Sequence, residues 1–176
     1  MFRLPHHEEL HITGGRAIAE AVLGSSDGLT VPFALAAGLS GVVANPGLIF
    51  LVGSAEMVAG GVAMGLGGYL ATKSYNDVYA RELAREVREV RDTPEQEREE
   101  VRHILRTQGF AGPDLERAVQ VVTSDRERWL RFMMREEMGM REEDLRPPGR
   151  SAVIVGGSYM VGALVPLLPY LFVAHA

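Results

Sequence analysis

Hydrophobic and charged residues are sharply segregated along this 176-residue chain. Three apolar stretches, within residues 17–43, 46–71 and 151–174, are each longer than the ~20 residues that an α-helix needs to cross a bilayer. Between the second and the third lies a stretch, residues 72–150, that holds all but two of the 18 Lys and Arg residues and all but five of the 23 acidic ones. The pattern predicts an all-α integral membrane protein with three transmembrane helices and a charged helical insert.

Turn residues divide the chain into four segments. Asn45-Pro46-Gly47 supplies turn chemistry between the first two apolar stretches, which predicts a tight hairpin of two spans. Pro147-Pro148-Gly149 is the expected hinge into the third span. We therefore predict an N-terminal segment over residues 1–16, transmembrane helices 1 and 2 over 17–71, the insert over 72–150 and transmembrane helix 3 over 151–176.

Positively charged residues set the expected orientation. Arg3 and Arg16 precede the first span and the insert holds the other Lys and Arg residues, whereas none lies in the turn near Asn45 or after the third span. Because cytoplasmic connections are enriched in positive charge, we expect the N-terminal segment and the insert to be cytoplasmic. The two crossings between them agree with this. The membrane is expected to be a prokaryotic plasma membrane or a vacuole-type membrane.

Capping and helix-breaking residues inside the insert predict where its helices begin and end. The second span should continue as a helix to about Arg91, because Arg and Glu residues alternate there at i,i+3 and i,i+4 spacing. Thr93-Pro94-Glu95-Gln96 predicts a capping box that begins a new helix. Gly112-Pro113 predicts another short helix, and Ser124-Asp125-Arg126-Glu127 predicts a second capping box before the last helix of the insert.

Charge and composition exclude several functions. A net charge of -5 with interleaved acids and bases argues against nucleic-acid binding. Since there is no cysteine, any metal ligands have to be Glu, Asp, His or Met. The sequence has no P-loop motif and no evident hydrolytic pair, so neither ATP-driven pumping through a P-loop in this chain nor enzymatic catalysis is expected. No organic cofactor is predicted.

The first two apolar stretches hold three acidic residues, Glu20, Asp27 and Glu56, and the last two of these are candidates for function. Asp27 and Glu56 are costly to bury as ions in a bilayer, so a functional, paired or water-facing role is the default expectation. Asp27 has an alternative role as a helix cap near the membrane interface, since Ser-Asp-Gly is common cap chemistry. Glu56 and Met64 lie eight residues apart and so point to similar sides of one helix. Carboxylate and thioether together favour a borderline transition metal over Ca²⁺ or Mg²⁺.

The insert holds a second set of candidate ligands. These are Glu86, Glu89, Glu97, Glu100, Met133, Met134 and Glu137. The first four form two pairs spaced three residues apart, so each pair shares a helix face. Paired glutamates from antiparallel helices converge on divalent ions in helical di-iron proteins. Spacing alone, however, favours a solvated and ion-paired helix surface over a metal site.

Longer motifs resemble a known family. Residues 26–41 (SDGLTVPFALAAGLSG), 55–70 (AEMVAGGVAMGLGGYL), 129–137 (WLRFMMREE) and 166–170 (PLLPY) are similar, in the same order, to segments of the vacuolar iron transporter family. That family includes the yeast-type vacuolar iron and manganese carriers. The resemblance covers nearly the whole chain. It implies a homodimer in a lipid bilayer, with a pathway between the subunits that exports divalent metal from the cytosol in exchange for protons.

The resemblance also implies roles for individual residues. Asp27, Glu56 and Met64 match the acid, the glutamate and the methionine that line the family's pathway, and the seven insert residues match the metal ligands of its cytoplasmic domain. Fe²⁺ is the first substrate expected, with Mn²⁺, Co²⁺ and Zn²⁺ as further candidates. Since the family has five spans, we expect this chain to be a fragment or a shortened homologue without the last two.

Two other functions fit parts of the pattern. A membrane-anchored protein that sequesters or senses metal at the cytoplasmic face would need only the insert and an anchor. A ferritin-like oxidase would need Glu-x-x-His pairs on two helices. Glu100 with His103 is one such pair, and no second pair follows it along the chain. The favoured prediction is a carrier whose insert collects Fe²⁺ and passes it to Met64, Glu56 and Asp27.

Overall fold

The computed structural model describes residues 15–173, which form six α-helices and one 3₁₀ turn. The helices are α1 (Gly15–Ser40), α2 (Pro46–Asp92), α3 (Pro94–Thr107), α4 (Gly112–Thr123), α5 (Arg126–Glu136) and α6 (Pro148–Val173), and the turn covers Glu142–Asp144. No β-strand occurs within the described range, so the all-α prediction is confirmed. The chain divides into two compact units: an apolar unit up to Ala71 and from Pro147 onward, and a charged unit of Thr72–Arg146.

Three helices are long and apolar enough to cross a membrane, namely α1, α2 through its apolar part, and α6. The predicted number of transmembrane helices is therefore confirmed. In the apolar unit α1 packs along α6. Large apolar side chains such as Leu51, Leu66 and Val165 are more than half exposed. Apolar surface on this scale is typical of helices whose solvent is lipid.

Glycines let α6 approach both neighbouring spans of the apolar unit very closely. A Cβ on Gly156 would lie 2.5 Å from the carbonyl oxygen of Gly61 on α2. A Cβ on Gly162 would lie 2.5 Å from the carbonyl oxygen of Ser25 on α1. Both distances are well below van der Waals contact, so no larger residue fits without movement of a helix. Close approach at small residues is a common way of packing helices in membranes.

The charged unit has a small hydrophobic core of its own. Val90 of α2, Val101 of α3, Val119 of α4 and Trp129 of α5 are all buried in it. The guanidinium of Arg98 lies 5.6 Å from the centroid of the Trp129 ring, within the range of a cation–π interaction. The amphipathic helices of this unit therefore bury one apolar face each and leave their charged faces in solvent.

Two helix ends differ in detail from the predicted capping boxes. The hydroxyl of Thr93 donates to the carbonyl of Glu89 at 3.1 Å and makes no capping bond to α3. This happens because Thr93 alone separates α2 from α3, so the free carbonyls of the last turn of α2 compete for its hydroxyl. The cap of α5 is Asp125, whose carboxylate accepts from the N–H of Arg128 at 2.8 Å, and not Ser124. Both helices form: α3 keeps Thr93 as its N-cap residue without the side-chain bond, and α5 is capped by Asp125.

Candidate metal sites

Asp27 lies well inside α1, so it does not cap a helix end. This removes the structural alternative that its Ser-Asp-Gly context suggested. The residue is half-buried, and its carboxylate is near enough to the hydroxyl of Tyr159 on α6 for the two groups to interact electrostatically. The adjacent Gly28 is buried against the backbone of Tyr159. Asp27 therefore belongs to the part of α1 that meets α6.

Glu56 on α2 is engaged by the same tyrosine. The hydroxyl of Tyr159 donates a hydrogen bond to Glu56 Oε1. The other oxygen, Oε2, is buried and has no hydrogen-bond partner among residues 15–173. A buried polar atom without a partner costs free energy unless water or a ligand completes its bonding. Tyr159, itself only 3% exposed, therefore hydrogen bonds to one of the two acidic residues predicted for the pathway and lies near the other.

Met64 lies apart from this pair. It is half-buried on α2, between Gly61 and Gly65, which both contact the α6 backbone. Eight residues of α-helix span about 12 Å, so Glu56 and Met64 are better placed to hold an ion in succession than together. Of the three predicted pathway residues, the structure thus brings two together at Tyr159 and leaves the third two helical turns away.

Sequence reasoning did not single out two further polar groups in the apolar unit. Glu20 on α1 accepts a hydrogen bond from the Ser151 hydroxyl on α6 at 3.0 Å, and its Oε2 is buried without a hydrogen-bond partner in the described part of the chain. Its signal in the sequence is its position two helical turns before Asp27, on the same side of α1. Tyr159 gives no comparable signal, because an aromatic residue in an apolar stretch does not reveal its hydroxyl's partner.

The charged unit brings together the five glutamates predicted for the insert. These are Glu86, Glu89, Glu97, Glu100 and Glu137. The Glu86 and Glu97 side chains are 1% and 3% exposed, and their carboxyl groups hydrogen bond to each other. The other three interact electrostatically with this pair. The short connection between α2 and α3 causes the arrangement, since it folds two Glu-x-x-Glu pairs against each other.

Crowding of these acids changes their protonation. Burial raises the pKa of Glu86 to about 8, and the hydrogen-bonded carboxyl of Glu97 adds to the rise. Burial also raises the pKa of Glu97, and partial burial beside Glu100 raises the pKa of Glu137. At neutral pH the Glu86–Glu97 pair therefore retains a proton. Since a carboxyl group has to be deprotonated to bind a metal, a cation that binds here displaces that proton.

The glutamates do not yet surround a common point. Within residues 15–173, no three acidic or histidine side chains are arranged to hold an ion as they stand. Carboxylates without a cation repel one another, so an ion would have to draw them together. Met133 packs in the hydrophobic core beside Trp129, and Met134 lines a cavity of about 460 Å³ with Tyr79 and Arg135. The structure thus groups the glutamates and buries both methionines elsewhere in the packing of the charged unit.

The sequence profile of the VIT family matches residues 18–176. The chain belongs to the VIT family. The protein named Vacuolar iron transporter 1 of Arabidopsis thaliana is 44% identical over 98% of this chain and 69% of its own length. Vacuolar iron transporter 2 of Oryza sativa subsp. japonica is 46% identical over 98% of this chain and 70% of its own length. Protein CCC1 of Saccharomyces cerevisiae is 38% identical over 90% of this chain and 50% of its own length.

Membership of the VIT family confirms the resemblance that the sequence motifs indicated. The relatives align with almost all of this chain, including its three apolar helices and the charged unit between the second and the third. Together with those helices, the comparison makes this VIT family member an integral membrane protein.

Proposed function

We propose that this VIT family member transports divalent transition-metal ions across a membrane, with Fe²⁺ as the first substrate and Mn²⁺, Co²⁺ and Zn²⁺ as further candidates. Two plant relatives bear the name vacuolar iron transporter, which supports iron as the substrate and a vacuole-type membrane as the location. In a prokaryote the corresponding membrane is the plasma membrane. The transport direction is out of the cytosol. The active form is a homodimer with the pathway between its subunits, and the charged unit is cytoplasmic.

The unpartnered oxygen of Glu56 is the observation on which the proposal rests. This atom is buried inside an apolar helix, close to Tyr159 and, through it, to Asp27. Burying such a group in a membrane costs free energy, so it is usually kept for a function. A passing cation completes the bonding that the protein leaves open. Met64, two turns further along α2, offers a thioether for the next step of the same path.

Exchange of metal for protons has a physical basis in these ligands. Carboxylates bind metal only when they are deprotonated, so protons arriving from the far side of the membrane compete with the ion at Glu56 and Asp27 and release it. In the charged unit, the cluster around Glu86 and Glu97 collects ions from the cytosol. Each ion that binds there displaces the proton that the pair shares.

Sequestration without transport is the second candidate function. The glutamate cluster of the charged unit favours it, because that cluster lies entirely within Thr72–Arg146 and needs the apolar helices only as an anchor. In this role the protein would hold metal at the cytoplasmic face and return it to the same compartment.

Ion flux in reconstituted vesicles separates the two functions. The purified chain in liposomes that contain a metal-sensitive dye should take up Fe²⁺ under anaerobic conditions, and Mn²⁺, Co²⁺ and Zn²⁺ should be tested as competitors. A pH-sensitive dye in parallel vesicles should report the opposing proton movement, and protein-free liposomes are the control. Metal binding by the chain in detergent without any flux into liposomes would contradict transport and support sequestration.

A further inference from the structure

The hydroxyl group of Tyr159 determines which part of the Glu56 carboxylate is available to an ion. We infer that Tyr159 is a positioning residue that presents Glu56 as a one-oxygen ligand, through Oε2, and thereby disfavours Ca²⁺ at this site. The inference rests on the proposed function, because it concerns the ion that Glu56 binds.

Packing holds Tyr159 in place. Its side chain is 3% exposed, and a Cβ added to Gly60 on α2 would collide with its ring and hydroxyl. A Cβ on Gly28 of α1 would in turn collide with the backbone of Tyr159, and one on Gly24 would collide with the hydroxyl of Ser158, the residue before it. Since α1 and α2 both pack tightly against this residue, its side chain has little room to adopt another rotamer. A side chain whose orientation is fixed by packing can hold a ligand more accurately than a mobile one.

The hydrogen bond from Tyr159 leaves the two oxygens of Glu56 unequal. Oε1 accepts the hydroxyl proton, whereas Oε2 is the buried oxygen without a hydrogen-bond partner in residues 15–173. Of the two carboxylate oxygens, therefore, one already has a hydrogen-bond partner and the other is available to bind a cation. The nearby Asp27 supplies a second carboxylate.

One-oxygen ligation affects ion selectivity. Ca²⁺ takes six to eight oxygen ligands and often binds both oxygens of a carboxylate, whereas transition metals with fewer ligands and shorter bonds accept one oxygen from each. By occupying Oε1, Tyr159 removes one of the oxygens that Ca²⁺ needs. Loss of the hydroxyl should therefore make Glu56 a two-oxygen ligand and let Ca²⁺ compete.

The test replaces Tyr159→Phe, which deletes the hydroxyl and keeps the ring between its glycine neighbours. Tyr170→Phe is the matched control, because it removes another tyrosine hydroxyl of α6, one that hydrogen bonds to Ser40 Oγ at 2.7 Å. Infrared difference spectra with and without Mn²⁺ report how carboxylates bind the ion. The bands that belong to Glu56 are those that disappear in Glu56→Gln.

In the wild type and in Tyr170→Phe, the Glu56 bands should show the wide separation of symmetric and antisymmetric stretches typical of one-oxygen ligation. In Tyr159→Phe the separation should narrow, and Ca²⁺ should inhibit Mn²⁺ uptake at roughly tenfold lower concentration, the size expected for one hydrogen bond to a charged group. The unfolding temperature in detergent should fall, because Glu56 Oε1 loses its hydrogen-bond donor.

Several results would overturn the inference: a narrow separation in the wild type, an unchanged one in Tyr159→Phe, the same change in Tyr170→Phe, or no Mn²⁺-dependent band that depends on Glu56. A narrow separation in the wild type would overturn the inference even if Tyr159→Phe fails to fold. Absence of flux with the expected spectra would refute the transport proposal alone, and flux with unchanged spectra would refute the role of Tyr159 alone.

Discussion

Two buried carboxyl groups, Glu56 in the apolar unit and Glu86 in the charged unit, have opposite kinds of neighbour. Glu56 accepts a hydrogen bond from the neutral hydroxyl of Tyr159, whereas Glu86 hydrogen bonds to a second acid, Glu97. Each retains one buried oxygen without a hydrogen-bond partner in the described residues. A glutamate in the apolar unit can therefore offer a free oxygen to an ion, whereas a glutamate in the charged unit has to release a proton before it binds an ion.

The difference follows from the elements that meet at each site. In the apolar unit, glycines such as Gly156 and Gly61 allow helices to approach so closely that a tyrosine of α6 reaches a carboxylate of α2. In the charged unit, the short connection after Asp92 folds one Glu-x-x-Glu pair onto another, so the neighbour is an acid. The distance between packed helices therefore determines which group hydrogen bonds to each glutamate, and that group determines how the glutamate binds an ion.

The largest effect is expected from removing the second carboxylate of the membrane site. Asp27→Ala should lower Fe²⁺ or Mn²⁺ uptake into vesicles to background, because one carboxylate with an engaged oxygen is too little to replace an ion's hydration in lipid. Metal binding by the full chain in detergent should persist, since the glutamate cluster is intact. Ser26→Ala, an exposed neighbour on α1, should transport normally. Wild-type uptake by Asp27→Ala would remove this residue from the pathway.

An intermediate effect is expected from separating the helices that position Tyr159. The Cβ of Gly156→Ala would lie 2.5 Å from the Gly61 carbonyl, whereas that of Gly157→Ala would meet nothing within 4 Å. Overpacking costs ~1–3 kcal/mol, which should lower the unfolding temperature in detergent by roughly 5 °C for Gly156→Ala. Gly157→Ala should match or slightly exceed the wild type, because alanine favours helix. Equal unfolding temperatures for the two variants would refute the close approach.

The smallest effect concerns the proton held in the charged unit. The pKa of Glu86 rises from its ordinary value of 4.5 to about 8 on folding, so the folded chain binds this proton more tightly than the unfolded chain does. Stability from this group is complete below pH 4.5 and is lost as the pH rises towards 8. Glu86→Gln should therefore reduce the loss of stability between pH 4.5 and pH 8. Its unfolding temperature should be higher than that of the wild type by roughly 3–5 °C at pH 8 and no higher at pH 4.5.

The single tryptophan makes this measurement specific, because Trp129 is buried in the charged unit and its fluorescence reports the unfolding of that unit. A chelator should be present so that metal does not displace the proton. Glu143→Gln, an exposed residue of the same unit, is the control and should keep the wild-type decline with pH. The same decline in Glu86→Gln would mean that this carboxyl group does not hold the proton.

Much of the fold was predictable from local patterns. Apolar length predicted the three spans, and charge spacing predicted that α2 continues to about Arg91, one residue short of its observed end at Asp92. Thr93 is the N-cap residue of α3, as predicted, but its hydroxyl makes no capping bond, and the predicted cap of α5 at Ser124 was wrong because Asp125 caps that helix. Each hydroxyl donates instead to a carbonyl earlier in the chain. For Thr93 that acceptor is a carbonyl of the preceding helix, which becomes available only when the helix ends next to it.

By itself the sequence determined which segments prefer lipid to water and which residues carry carboxylates in each of them, because hydrophobicity and charge are properties of the residues. Only the tertiary structure decided that Tyr159 meets Glu56, that Ser151 meets Glu20, and that Glu86 meets Glu97. Each of these pairs joins two different helices. Whether two helices approach closely enough for a hydrogen bond depends on how their surfaces pack, and no single helix specifies that distance.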